Sequence, residues 1–175
     1  MSRDFPVGFM ANPSDFNKEA VERYKTQDFE GAEALYREAL KIDPTYFPSQ
    51  LNLGILMFKT GRYDDAIKEC TKAVSLRSDN PSAHFHLGNA YYAKMWWEEA
   101  LVEYERVFTL DPSHVDVHFA LGGIYLNRGY KEKAVECWKK YLESAPPESM
   151  KAKLATEYVQ GTTANQVHIG KYIAE

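Results

Sequence analysis

Five histidines, two cysteines and a few acidic doublets are the side chains in this 175-residue chain with chemistry to offer. His114 and His118 stand four residues apart, the spacing that sets two imidazoles on one helix face and can hold a metal. No cysteine or carboxylate cluster accompanies them, and His114 follows the turn-forming Asp111-Pro112-Ser113. Cys70 and Cys137 are far apart in sequence and both lie within second helices; Cys70 reads as a small buried apolar side chain, and a reducing compartment is expected rather than a disulfide. Asp64-Asp65 and Glu98-Glu99 open predicted helices, where negative charge complements the helix dipole. No phosphate-binding glycine loop, GxSxG elbow or HExxH pattern occurs. The expectation is therefore a non-catalytic chain with no cofactor and no metal.

The elements that carry these residues repeat. From Pro81 to Pro112, His84, Leu87, Gly88 and Tyr91 mark one helix face, and Ala100, Tyr104, Val107 and Phe108 mark a second before Asp111-Pro112 stops it. At a period of about 34 residues, the small residue of the first helix recurs as Ala20, Gly54, Gly88 and Gly122. That of the second recurs as Ala32, Ala66, Ala100 and Ala134, followed one turn later by Tyr36, Cys70, Tyr104 and Trp138. Small residues let two helix backbones approach, and the large residue fills the space that opens, so each hairpin has a notch and a knob. His84 and His118 are equivalent in this register, which gives their recurrence a packing explanation. Gly61 and Gly129 fall where the first helix ends and the chain reverses, a place for left-handed backbone. Gln27 and Met95 hold the matching places. Trp97 joins Phe29 and Tyr63 in an aromatic series after the turn, whereas Trp96 matches none and is either a binding anchor or packed against its own turn.

His84-x2-Leu87-Gly88-x2-Tyr91, Ala100-x3-Tyr104 and Pro112 resemble the tetratricopeptide repeat. The repeat from Val115 follows through Leu121, Gly122, Tyr125, Ala134, Trp138 and Pro146. The repeat from Phe47 keeps Leu53, Gly54, Ala66 and Ala73 but has Ser78 in place of proline, and the first has Glu19 and Arg23 on a polar face that suits a terminal cap. The resemblance implies an all-α, right-handed α-solenoid of four helix-turn-helix hairpins over residues 13–146. Residues 147–161, with Met150, Leu154, Tyr158 and Val159 at helical spacing, read as a capping helix. Residues 1–12 form an N-terminal arm that either packs on the first hairpin or engages a partner, and residues 162–175 form a tail. Ser14 is the expected first N-cap.

A net charge of −4 argues against a nucleic-acid partner. No apolar run reaches the roughly 20 residues of a membrane span, and MSRDFPVGFMANP lacks an apolar signal-peptide core. The expectation is a cytoplasmic protein with no membrane insertion.

The first helices carry a second stripe, offset by one residue from the packing stripe. It comprises Leu51, Asn52, Ile55 and Phe58, then Phe85, His86, Asn89 and Tyr92, then Phe119, Gly123 and Leu126, with Asn17, Val21 and Tyr24 in the first repeat. In tetratricopeptide proteins this face lines a concave groove, so the resemblance implies an apolar and aromatic binding surface. Asn52 and Asn89 are candidate donors to a partner's backbone. The clamp by which co-chaperone members of the family grip an acidic C-terminus is missing its basic residues: Asn17 and Val21 stand for lysine and asparagine, Ser82 and His86 for lysine and arginine. The reading is a non-catalytic protein–protein interaction scaffold that binds an extended or helical segment of another protein. The alternative is a self-associating assembly subunit that uses its ends or the Trp96 turn to form homo-oligomers.

Overall fold

A computed structural model describes residues 12–161, and the N-terminal arm before them and the tail after them lie outside the described residues. Every regular element among the described residues is an α-helix, and the chain divides into two compact units between Ser78 and Asp79. The first contains α1 (Pro13–Lys25), α2 (Phe29–Ile42), α3 (Phe47–Lys59) and α4 (Tyr63–Leu76). The second contains α5 (Pro81–Ala93), α6 (Trp97–Leu110), α7 (Val115–Asn127), α8 (Lys131–Leu142) and α9 (Met150–Val159). Within each unit, consecutive helices pair as hairpins and one hairpin stacks on the next. No helix of the described residues is long and apolar enough to cross a membrane.

Local chemistry sets the helix ends. Asn12, rather than Ser14, caps α1: its side chain accepts from the Asp15 amide at 3.2 Å, and Pro13 takes the first helical position, where a missing N–H costs nothing. Asp28, Asn80 and Ser149 cap α2, α5 and α9 in the same way. After α2, Asp43 Oδ1 accepts from the Thr45 amide and hydroxyl; after α6, Asp111 Oδ1 accepts from the Ser113 amide and hydroxyl. These side-chain turns use the Asp-Pro stop that the sequence repeats.

Inside each hairpin the reversal is one construction. The backbone is left-handed at Gln27 (φ 63°), Gly61 (77°), Met95 (60°) and Gly129 (81°). The next amide bonds back to the helix, as Asp28 to Arg23, Arg62 to Met57, Trp96 to Tyr91 and Tyr130 to Tyr125, satisfying carbonyls that the helix end would leave bare.

The notches and knobs meet as their register demands. A methyl added at Gly54 would stand 2.5 Å from Cys70 Sγ, and one at Gly88 would stand 2.6 Å from the Tyr104 ring. At Gly122 it would run into the Trp138 indole. Tyr36, Cys70, Tyr104 and Trp138 are all buried. Tyr158 of α9 lies over Trp138, with ring centroids 4.7 Å apart, and α9 packs on α8.

Candidate functional site

Of the residues with reactive chemistry, Cys70 and His84 are buried, and Cys137, His86, His114 and His118 are half-buried. Burial pushes the Cys70 thiol up to about 12 and the Cys137 thiol up to about 11, so neither is a thiolate nucleophile near neutral pH. His84 lies within hydrogen-bond distance of Glu103, Nδ1 to Oε2 2.6 Å, between the two helices of one hairpin. His114 sits outside α7 at its N-cap and packs against Phe85, whereas His118 packs against Phe108, so the two rings engage different neighbours. Among the described residues no group of three or more histidines, cysteines and carboxylates could hold a metal.

The offset stripe lies on α1 and α3 in the first unit. Leu51 and Phe58 are buried, and Asn52 and Ile55 are half-buried. Phe58 packs on Tyr63 across the hairpin turn and Tyr24 packs on Phe29, with centroids 5.6 and 5.7 Å apart. Between the hairpins, Asn17 Oδ1 accepts from Ser49 Oγ and from Asn52 Nδ2, each at 3.1 Å. A depression of about 510 Å³ runs along α1, lined among the described residues by Asp15, Asn17, Lys18, Glu19, Val21 and Glu22.

In the second unit the stripe lies on α5 and α7. Phe85 is half-buried, with His114 at 4.6 Å and His86 edge-on at 5.6 Å between centroids. Burial, and then His114 beside it, push the His86 imidazole down to about 4, so it is neutral at physiological pH. Tyr92 is buried edge-on against Trp97, and its hydroxyl accepts from Asn127 Nδ2 at 3.2 Å. Leu126 is half-buried and Gly123 is buried.

Two stripe residues hold interior roles that spacing alone did not reveal. Asn89 is 1% exposed, and its side-chain carbonyl accepts from the Tyr104 hydroxyl at 2.8 Å. That bond satisfies a phenol buried by the knob-and-notch contact. Phe119 is 1% exposed and packs on Tyr141, while its backbone carbonyl accepts from the Trp138 indole N–H. The half-buried members of the stripe are thus Asn17, Val21, Tyr24, Asn52 and Ile55 in the first unit and Phe85, His86 and Leu126 in the second.

Trp96 is packed against its own turn and remains open to solvent. Its ring stacks on Tyr91 at 5.9 Å between centroids, yet 45% of the residue stays exposed. Met95 beside it is 65% exposed.

Sequence comparison adds the wider context. Profiles described as tetratricopeptide repeat match residues 24–72 and 115–148, and one described as TPR repeat matches residues 56–94. No curated protein matches the sequence. Among solved structures, MamA is similar at 25% identity with a TM-score of 0.70, over 86% of this chain and 85% of that one. A thermophilic TPR protein of Thermus thermophilus is similar at 20% identity with a TM-score of 0.73, over 86% of this chain and 82% of that one. The first TPR of Spaghetti (RPAP3), bound to the HSP90 peptide SRMEEVD, is similar at 23% identity with a TM-score of 0.66, over 67% of this chain and 94% of that one. Repeated hairpins, a left-handed residue at each reversal, a small residue against a large one in each pair, and these matches lead to one assignment: the chain is a tetratricopeptide-repeat protein, an all-α solenoid of helical hairpins.

Proposed function

We propose that this protein is a non-catalytic interaction scaffold that holds an extended or helical segment of a partner protein against the inner stripes of its hairpins. The observation that carries the reading is the partial exposure of Asn52, Ile55, Phe85, His86 and Leu126 on the offset stripe of the first helices. Such side chains offer apolar pockets and hydrogen bonds to a peptide without fixed charge. The fold itself supports protein binding, since a TPR structure of the same architecture holds a peptide. In this reading the partner is protein rather than nucleic acid, the two free thiols belong in a reducing compartment such as the cytoplasm, and no cofactor takes part.

An acidic peptide makes a direct test. The stripe lacks the lysines and arginine of an anion clamp, with Asn17, Ser82 and His86 in their places and His86 neutral. The peptide SRMEEVD should show no saturable binding by fluorescence polarisation. Salt-sensitive binding of that peptide would overturn the reading.

A second reading, self-association, is favoured by the exposure of Met95 and Trp96 at one turn. In that case the hydrodynamic size falls on dilution, and Trp96→Ala removes the larger species.

A further inference from the structure

The reversals of the third and fourth hairpins carry rings that the turn itself does not require. Tyr91, in the last turn of α5, stacks on Trp96 at 5.9 Å between centroids, and one repeat later Tyr125 meets Tyr130 edge-on at 6.5 Å. The same two places hold Arg23 and Asp28 in the first hairpin, ion-paired at 2.8 Å, and Met57 and Arg62 in the second, in contact through sulfur and guanidinium. A hairpin therefore closes there without aromatic residues. In the second unit the rings stay open, with Trp96 45% and Tyr130 50% exposed. Cations lie over them: Lys94 Nζ stands 5.8 Å from the Trp96 ring, and Lys133 Nζ stands 5.5 and 5.6 Å from the Tyr130 and Tyr125 rings. Arg128, 5.9 Å from the Tyr130 ring, also pairs with Glu98 at 3.1 Å and so joins the two turns into one edge. Met95 completes the edge with a left-handed backbone where the second and fourth hairpins have glycine, a strain that burial within the protomer does not offset.

The charge of this edge selects its occupant. Three carboxylates, Glu98, Glu99 and Glu132, stand among four cations, Lys94, Arg128, Lys131 and Lys133. Such near balance offers little to phosphate, which calls for concentrated positive charge. The signs are also sorted by turn: where the third hairpin has Glu99, the fourth has Lys133. A two-fold axis sets a patch on the same patch of a second copy, so that residue i meets j and j meets i. Here it lays the α5–α6 turn of one copy on the α7–α8 turn of the other, with Glu99 of each beside Lys133 of the other. A chain with a net charge of −4 repels a second copy over most of its surface, and an edge without net negative charge is where that repulsion is least. We infer that the Met95–Trp96 and Tyr130 turns form an isologous, closed dimer interface between two copies of this chain. This rests on the self-association reading above and deepens it, because it adds the second turn, the charge pairing and the symmetry that stops assembly at two.

The test is sedimentation velocity of the full chain over a dilution series, in which the wild type should pass from monomer to dimer and no further. Met95→Gly, which removes the strain and the apolar tip together, should raise the dissociation constant about tenfold. It should leave the monomer at least as stable, so a loss of association is not a loss of fold. Glu99→Lys and Lys133→Glu should each abolish the homodimer through like-charge contact. Mixed in equal amounts, the two variants should dimerise, because each then meets the opposite charge, a rescue that a merely structural role does not give. Species larger than two copies, or association unaffected by Met95→Gly and by both charge reversals, would overturn this inference and leave self-association through the ends standing. A chain that is monomeric at every concentration would overturn the self-association reading and this inference with it. Sedimentation of that monomer with phosphatidylserine vesicles, lost in Trp96→Ala, would assign the edge to a membrane surface instead.

Discussion

Met95 carries a left-handed backbone on a side chain that is 65% exposed, so the residue meets a steric cost without gaining burial. That cost is about 1–2 kcal/mol for a residue with a Cβ, partly offset by glycine's greater freedom in the unfolded chain. Met95→Gly should therefore stabilise the protein by up to about 1 kcal/mol in urea denaturation, and a clear loss would show a packing role for the side chain. Asn89 behaves in the opposite sense. Its removal strands the Tyr104 hydroxyl in a fully buried site, so Asn89→Ala should cost about 1–3 kcal/mol, while Asn89→Ala combined with Tyr104→Phe should cost less than the sum of the two. Additive losses would mean that the 2.8 Å bond contributes nothing. These residues also mark the limit of what sequence reveals. Left-handed places at Gln27 and Met95 follow from register with Gly61 and Gly129, because backbone reversal is local. The Asn89–Tyr104 and Asn17–Ser49–Asn52 bonds join positions 15 to 35 residues apart, and whether an amide faces inward or outward depends on a neighbouring helix that spacing alone does not orient.

At the scale of elements, the hairpin was legible because each helix repeats its small residue and its knob at a fixed interval. Tyr24 with Phe29, Phe58 with Tyr63 and Tyr92 with Trp97 close three successive turns with the same aromatic pair. The degree of burial on the offset stripe was not legible. Phe119 and Tyr92 share the stripe's spacing with half-exposed Phe85 and Leu126, but contacts with Tyr141, Asn127 and Trp97 cover them. Packing of α5 against its neighbours has a consequence for pH. His86 in the folded chain stays neutral until about pH 4, whereas in the unfolded chain it takes up a proton near pH 6.5. The unfolded state thus binds more protons between these values. The stabilising effect is complete above about pH 6.5 and declines as pH falls toward 4, by at most about 3 kcal/mol. Chemical denaturation at stepped pH should show that decline, and His86→Gln should flatten it. Equal slopes in the two proteins would place the imidazole in water.

For the molecule as a whole, the period of the repeat predicts the number and order of hairpins. Helical spacing does not announce the division into two compact units. It falls beside Ser78, the one junction where the proline of Pro44, Pro112 and Pro146 is missing. Each unit carries its own stripe, with the Asn17 and Asn52 amides on α1 and α3 and the Phe85 and His86 rings on α5. In the proposed scaffold, partly exposed apolar and amide groups, rather than fixed charges, hold the partner. The decisive measurement is calorimetry of a peptide selected on the full chain from a random-sequence library, against the wild-type chain, Ile55→Ala and Phe85→Ala, at low and high salt. Phe85→Ala or Ile55→Ala, whichever unit the peptide contacts, should weaken binding by about 1 kcal/mol or more, with helical content unchanged and little dependence on salt. Affinity that collapses at high salt while both variants bind like the wild type would contradict it.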